Sequence, residues 1–576
     1  MKEFIKYLKK SWIFVKNQKK IYVLYILSNI IYVLLNIFVP IVSAQLIVKV
    51  TNNEFEQIVL IGIVLFILEC IHNLVYTLQC YFSQKIHYEG FVNIQKKIGE
   101  EIFKIENKCY EVSGTGVFVE RLANDASQLI NVFESLNFYM GTLLMNLGIF
   151  VSIFIINKWI CLYIILMMLI LFVVDKKRTD IVKSYNKERL KIKDETVSFT
   201  SEIIRGLSDI KMLNVENSFL NKFNKNIEKV NTKEFDKQKI NRNFKAFREF
   251  LYVTLIFILL MIMVILMSKK ELLAVNVIII FNYFNRITSL FFVIGNMMEI
   301  IKNFNVSAER VFEIIDDSKF TKEKFGNKHI DKIDGNFEFK DVSFGYNKDQ
   351  KVIDKMNFKI NANETVAFVG KSGVGKSTIF KLLCKLYDIQ DGEILIDGIN
   401  INELDKDSIR GNITIISQEP YIFNMSIKDN LKMVKSNITE DEIKRVCKLA
   451  CLDDFIETLP KGYDTIVGEN GVVFSGGQKQ RLAIARALAQ DTQIILFDEA
   501  TSSLDNETQS KIKKAIDNMK DDYTIIIIAH RLSTIKDVDR IMYLDKGKVI
   551  AEGNHEYLLK NCTKYKKLYE EEIEKK

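Results

Sequence analysis

"ETVAFVGKSGVGKSTIFKLLCKLY" occupies residues 364–387. A short apolar run ends at a glycine, a Gly-x-x-x-x-Gly-Lys-Ser loop follows from Gly370 to Ser377, and a helical pattern begins at Thr378. Strand, loop and helix in that order are the context the phosphate-loop motif requires. The backbone N–H groups of Gly370, Lys371, Ser372, Gly373, Val374 and Gly375 can close around phosphate oxygens, because the glycines permit the tight turn. Lys376 is placed to reach the β and γ phosphates of a nucleotide, and the Ser377 hydroxyl to ligate Mg²⁺. The second half of the chain therefore reads as an α/β nucleotide-binding domain.

Working outward, three more stretches read as strands of the same sheet system. "NFEFKDVSFGY" (336–346) precedes the loop. "IILFDEA" (494–500) ends in Asp498, placed to hold Mg²⁺ through its water shell, and Glu499, placed as general base toward an attacking water. "YTIIIIAH" (523–530) delivers His530 to the same sheet end, where open α/β sheets bind ligands. "FSGGQKQRLAIARALA" (474–489) sets Ser475, Gly476, Gly477 and Gln478 at the start of a helix, whose bare amides suit an anion.

The first half has a different solvent in view. Charge-free windows fall at Ile21–Val48, Gln57–Leu68, Ser135–Asn157, Trp159–Val174, Phe250–Ser268 and Leu272–Asn285. The second continues past Glu69 to about Gln84, and the sixth past Arg286 to Met298. Roughly 20 apolar residues cross a bilayer as a helix, so six spans are expected. Seven lysines in the first 20 residues, against Lys49, Lys158, Lys269 and Lys270 in the connections on the other side, put the N-terminus in the cytosol. The first 20 residues pattern as an amphipathic helix on the membrane surface. Segments 85–134 and 175–248 are too long for structureless loops and predict spans that continue as helices into the cytosol. Glu69, His72 and Arg286 are ionisable groups inside the spans, hence either lining for a substrate cavity or a structural pair and a snorkelling end.

The 576 residues carry 80 Lys and Arg against 72 Asp and Glu, and the modest excess of +8 sits beside apolar segments, so it does not point to nucleic acid. The eight cysteines show no metal-binding spacing, and Cys447 and Cys451, one helical turn apart, read as packed thiols in a reducing compartment. Much Lys, Asn and Ile with only three prolines suits an AT-rich bacterial genome.

Together the motifs resemble the nucleotide-binding domain of ATP-binding cassette (ABC) transporters. "FSGGQ" (474–478) is similar to the family signature LSGGQ, with Phe474 in place of leucine. The resemblance implies that this signature binds the γ-phosphate of ATP held on the phosphate loop of an opposite subunit. It also implies an adenine-stacking Tyr346 and a Q-loop Gln418, in "IISQEPYIF", that senses Mg²⁺ and the γ-phosphate. Glu469 in "IVGENG" resembles the x-loop acid, "SSLD" (502–505) the D-loop and His530 the switch histidine. "TGVFVERLANDASQL" (115–129) and "GLSDIKMLNVE" (206–216) look like the cytosolic loops that carry coupling helices.

The expected architecture is an all-α six-helix transmembrane domain of exporter type followed by an α/β phosphate-loop ATPase domain with a helical subdomain. Its divisions are a cytosolic amphipathic segment 1–20, the transmembrane domain 21–304, a charged linker 305–335 and the ATP-binding domain 336–571. The sixth span, with "FNRITSLFF" (284–292), lacks the proline the family leads one to expect. ATP and Mg²⁺ are the implied cofactors. The bilayer and a second copy or a related half-transporter are the implied partners, in a bacterial inner membrane. The implied activity is ATP-driven export or flipping of a lipid, hydrophobic drug or peptide. Alternatives are an exporter-shaped importer of a metal chelate, a gated channel or regulator, and a non-transport cassette ATPase. With no peptidase domain before the first span, leader-cleaving peptide export is disfavoured.

Overall fold

The computed structural model describes residues 2–287, 289–347, 350–468, 471–498, 506–520, 522–529, 532 and 535–574. Its contacts divide the chain into two units, Met1–Ile102 with Gly116–Ser318, and Phe103–Thr115 with Lys319–Lys576.

The first unit is helical throughout. In chain order it holds α1 (Lys2–Ser11), α2 (Lys19–Thr51) and α3 (Phe55–Ile102); α4 (Asn107–Ser113) belongs to the second unit; then come α5 (Thr115–Glu120), α6 (Ala126–Ile156), α7 (Lys158–Arg205), α8 (Leu207–Met212), α9 (Glu216–Ser268), α10 (Ala274–Ile287) and α11 (Ser289–Ile315). Among the described residues, five stretches are long and apolar enough to cross a membrane: Lys16–Thr51, Phe55–Ile102, Thr115–Ile156, Lys158–Lys183 and Glu216–Ser268. The sixth apolar stretch is shared between α10 and α11, on either side of Thr288, which lies outside the described residues. Large apolar side chains such as Leu60, Phe66, Phe154 and Phe257 are exposed, as lipid-facing residues are when no water must be avoided.

Helices α7 and α9, of 48 and 53 residues, exceed by far the ~20 needed for a bilayer, so both continue beyond it. Arg189–Glu234 (3.1 Å) and Lys233–Glu188 (2.8 Å) join their polar ends, while Leu255, Leu259 and Met263 of α9 pack with Ile160, Ile164 and Met167 of α7 in one apolar cluster. The N-terminal helix uses its apolar side on protein. Phe4 meets Phe304 edge-on at 5.4 Å, Tyr7 stacks on Phe312 at 5.9 Å, and Lys10 pairs with Asp316. The α11 pattern carries on to Ile315, with Ala308, Val311, Phe312 and Ile314 buried, so the start of the stretch read as linker is helix.

Among the described residues, the second unit has a six-stranded, a four-stranded and a two-stranded sheet, the last formed by Met425–Ser426 and Ile466–Val467. Its strands are β1 (Phe337–Phe344), β2 (Ile353–Ile360), β3 (Thr365–Val369), β4 (Asp391–Ile396), β5 (Ile399–Asn400), β6 (Ile413–Ile416), β7 (Met425–Ser426), β8 (Ile466–Val467), β9 (Ile494–Asp498), β10 (Thr524–Ile528), β11 (Arg540–Asp545) and β12 (Lys548–Gly553). The order β12-β11-β3-β10-β9-β6 is parallel except for the β12 edge, and β2-β1-β4-β5 is antiparallel. Strands β3 and β10 are buried at every position, which is why they read as unbroken apolar runs rather than alternating ones. Helix α12 (Lys376–Leu383) follows the phosphate loop. Helices α13 (Lys406–Arg410), α14 (Ile427–Lys432), α15 (Glu440–Leu449), α16 (Asp453–Glu457) and α17 (Gly476–Gln490) come between β5 and β9, and α18 (Asn506–Asp517), α19 (His555–Asn561) and α20 (Thr563–Glu574) complete the unit. One core lies between the two sheets, around Phe339, Phe358 and Phe368; the other covers the opposite face of the parallel sheet with α14, α15, α17 and α18.

Residues 103–115, which the sequence reading placed with the membrane domain, are integral to this unit. Ile105 bridges Lys322, and backbone bonds run from Glu106 N to Thr321 O (2.9 Å) and from Glu323 N to Lys104 O (2.8 Å). Among the described residues all eight cysteines are free; burial pushes the Cys384 and Cys447 thiols up to about 12, so both are inert.

Candidate functional site

The parallel order puts the C-terminal ends of β3, β10 and β9 side by side, with Ile528 opposite both Phe368 and Asp498. The phosphate loop leaves β3 at this edge. Gly373 (φ +83°) and Gly375 (φ +103°) take the left-handed conformation that side chains resist, and a Cβ on Gly375 would stand 3.3 Å from Val352. Lys376, only 5% exposed, donates from Nζ to the carbonyls of Gly370 (2.9 Å) and Lys371 (3.2 Å), so its charge lies inside the ring of the loop. Ser377 Oγ donates to Asp498 Oδ1 at 3.1 Å. That is the separation of neighbouring oxygens in an octahedral Mg²⁺ shell, about 3 Å, so the donor set fits the ion. Asp498 thus stands beside the phosphate loop at the end of β9. Glu469, Glu499, His530 and the 502–505 stretch lie outside the described residues.

The signature opens α17. Ser475 is its N-cap: the hydroxyl accepts from Gln478 N (3.3 Å), and Gln478 Oε1 accepts from Ser475 N (2.8 Å), a reciprocal capping box. Ser475 and Gly476 are exposed, while Phe474 is buried against Phe455, rings 5.4 Å apart and edge-on. The exchange of leucine for phenylalanine is therefore a matter of core packing and leaves the outward-facing residues alone.

Two side chains join this helix to the segment after β6. Gln480 Nε2 donates to the carbonyl of Gln418 (3.2 Å), and Arg486 donates to Tyr421 O (2.8 Å) and to Asn430 while lying 5.5 Å from the centre of the Phe423 ring. Burial pulls the Arg486 guanidinium down to about 10, which leaves it charged at neutral pH. The Gln418 side chain itself is exposed.

Tyr346 is held from several sides. Its hydroxyl bonds Thr378 Oγ1 (3.2 Å), and the Phe344 and Tyr387 rings meet it edge-on at 5.1 and 5.3 Å. Lys381 Nζ lies 5.4 Å from its ring centre and 5.5 Å from that of Tyr387. Glu111 of α4 closes the cluster, accepting from Lys381 Nζ (3.0 Å) and Tyr387 Oη (2.6 Å). Those bonds, the tyrosine's first, hold the Glu111 carboxyl below its usual range; burial and then Glu111 push the Tyr387 phenol up. Glu111, Lys381 and Tyr387 escaped the sequence reading because their meeting depends on tertiary folding; the one local sign is the aromatic at 387 closing the α12 pattern.

In the first unit, two of the three intramembrane ionisable residues converge on one amide. Arg286 Nη1 donates to Asn36 O (2.8 Å) and Oδ1 (2.6 Å), and His72 Nε2 is 3.1 Å from Asn36 Nδ2. The His72 ring stacks on Tyr32 at 4.8 Å, and Glu69 stands 3.9 Å from His72. A cavity of about 690 Å³ opens beside them between α2, α3, α6, α10 and α11. Arg286 and Asn36 line it; Glu69 and His72 do not. Asn29, Asn36, Gln79 and Glu134 also belong to the wall. The amides do not interrupt the apolar runs as charges do, yet an amide in a span is itself an exception that needs a partner, and Glu134 falls just before the window that opens at Ser135.

Known proteins resemble both parts of the chain. Residues 22–291 match the family model of the ABC transporter transmembrane region, and residues 353–502 that of the ABC transporter. The chain is 43% identical over 263 residues to an ATP-dependent lipid A-core flippase of Desulfotalea psychrophila, a match that covers 46% of each chain, less than half of that relative's length. It is 29% identical over 546 residues, 92% of this chain and 80% of the other, to the probable multidrug resistance ABC transporter ATP-binding/permease protein YheH of Bacillus subtilis. It is also 32% identical over 484 residues, 81% of this chain and 78% of the other, to the uncharacterized ABC transporter ATP-binding protein YknV of Bacillus subtilis. With a membrane region and an ATP-binding unit in one polypeptide, the chain belongs to the ABC transporters.

Proposed function

We propose that this chain is a half-transporter that exports or flips a lipid, hydrophobic drug or peptide by alternating access, driven by ATP hydrolysis. The observation that carries this reading is the pairing of one phosphate loop with one exposed signature N-terminus on a single ATP-binding unit. If the signature of one copy serves the loop of another, two chains enclose two ATP molecules. Lys376 and the loop amides then hold the β and γ phosphates; Ser377 and Asp498, with Gln418, hold Mg²⁺. Glu499 activates water, His530 steadies the γ-phosphate, Tyr346 stacks on adenine, and Ser475, Gly476, Gly477 and Gln478 close the site from across the interface. Closure reaches the membrane helices through coupling segments near 110–118 and 206–213, a reading supported by the short helices Asn107–Ser113 and Leu207–Met212. The N-terminus and ATPase unit lie in the cytosol of a bacterial cell, and Arg286 belongs to the substrate path, whereas Glu69 and His72 do not line the cavity.

Purified protein in lipid vesicles tests this. Outward movement of an amphiphile that requires ATP, and a dimer as the hydrolysing species, are expected. A lone protomer that hydrolyses ATP at full rate would overturn the reading.

A further inference from the structure

Most of the wall of the 690 Å³ cavity is apolar, but polar side chains stand in it at many points. Much of that polarity is a frame. Asn29 Nδ2 donates to Asn137 O (2.6 Å), Gln79 Nε2 to Asn29 Oδ1 (3.1 Å) and Asn137 Nδ2 to Tyr25 O (3.3 Å), while Glu134 accepts from Ser83. Gly141 lets α6 close on this frame, since a Cβ there would stand 2.4 Å from Asn29 Nδ2. A second set is not part of the frame. Among the described residues, no hydrogen bond is made by the hydroxyls of Tyr32 and Tyr139 or by the side chains of Gln84 and Ser135, and all four line the cavity.

Charge is arranged at the two ends. Tyr25 Oη reaches the Glu134 carbonyl, and Asn36, eleven residues further along α2, receives Arg286. At 1.5 Å per residue Tyr25 and Asn36 stand about 16 Å apart along the helix. A head that fills the cavity meets both signs of charge, so neither a cation nor an anion is matched along its whole length. A hydrocarbon or dye would cover four hydrogen-bonding groups and give nothing back.

Resting on the export reading above, we propose that this cavity binds an uncharged head bearing several hydroxyl or amide groups, carried on an apolar tail. It is a site for a glycosyl- or peptide-type amphiphile rather than for a hydrophobic cation. Tyr32 and Tyr139 offer both a ring face and a hydroxyl to such a head, and Gln84 and Ser135 complete the set.

The test uses the full chain in phosphatidylcholine nanodiscs with a tryptophan reporter on the wall, Phe138→Trp. Three probes share a twelve-carbon tail: dodecyl maltoside, N-dodecanoyl Gly-Ser-Gly amide and dodecyltrimethylammonium. The maltoside or the acyl peptide is expected to bind at least about tenfold tighter than the ammonium, and whichever binds tighter identifies the head as glycosyl or peptide. Tyr139→Phe with Ser135→Ala, which keep the shape of the wall, should weaken the better neutral probe about tenfold and leave the ammonium unchanged. Equal or tighter binding of the ammonium, or a double variant that binds the neutral probe as well as before, overturns the proposal. Neutral-probe binding without ATP-driven movement upholds the site and sinks the export reading; ATP-driven movement of an amphiphile with no binding of either neutral probe does the reverse.

Discussion

Asn36 offers its backbone carbonyl to Arg286 at 2.8 Å because Pro40, four residues along α2, has no N–H to take it. The next carbonyl, that of Ile37, is taken by Tyr283 Oη at 2.7 Å. Two residues of α10 thus complete the hydrogen bonding of an interrupted turn in α2. In lipid such a turn persists only if a neighbour satisfies it.

The Pro40–Arg286 link predicts a measurable coupling. Arg286→Met should lower thermal stability in detergent, and the loss should shrink in a Pro40→Ala background, where the alanine N–H restores the helical donor. A coupling of about 0.5–3 kcal/mol between the two sites is expected. Strict additivity would show that the guanidinium does not serve the carbonyl.

Arg286 and Glu69 should separate in transport assays. Only Arg286 lines the cavity, and the contact of Glu69 with His72 is 3.9 Å long with half of the glutamate exposed. Glu69→Gln should therefore alter substrate-stimulated ATPase activity by less than about twofold. Arg286→Gln should lower it markedly. Equal loss in both variants would place the substrate against α3 instead.

Lys381 is predicted to set nucleotide affinity through Tyr346. Lys381→Met removes the cation near the ring and the Glu111 pair together, and should raise KM for ATP several-fold, given about 0.5–1 kcal/mol for a cation–π contact and a similar amount for the pair. Triphosphate alone should bind as before, since it lacks the base. Glu111→Gln, which keeps a hydrogen-bonding group, should fall between wild type and Lys381→Met. An unchanged KM in Lys381→Met excludes a role in binding the base.

Phe474 is predicted to act by packing alone. Phe474→Leu should cost less than about 1.5 kcal/mol and leave ATP turnover intact, whereas Phe474→Ala, leaving a hole beside Phe455, should cost about 3–5 kcal/mol. Ser475→Ala removes the cap for only about 1 kcal/mol of stability but should abolish most turnover. Chemical denaturation and ATPase assays on the same samples distinguish the two kinds of loss.

At the phosphate loop, Lys376→Ala should lose ATP binding or turnover. Glu499→Gln should bind ATP, hydrolyse it at least about a hundredfold more slowly, within the range for a lost general base, and accumulate as a closed dimer. Full activity in Glu499→Gln would remove its assignment as base.

The sequence by itself determined both solvents of this protein and the chemistry of one site. Apolar runs of bilayer length leave a helix no alternative, because its backbone must be satisfied internally. Buried parallel strands are equally legible, since both faces are covered and every residue of β3 and β10 is buried. The phosphate loop and signature could be read because their function resides in consecutive backbone groups: the spacing within Gly370–Thr378 and Ser475–Gln478 is local. Only the tertiary structure decided the rest. It assigned residues 103–115 to the ATP-binding unit, brought Glu111 to Lys381 and Tyr387, and gathered Asn36, His72 and Arg286 from three helices. Those meetings depend on side chains far apart in the chain, whose partners are chosen by packing and by the need to satisfy buried polar groups. No pattern of neighbours along the sequence records that choice.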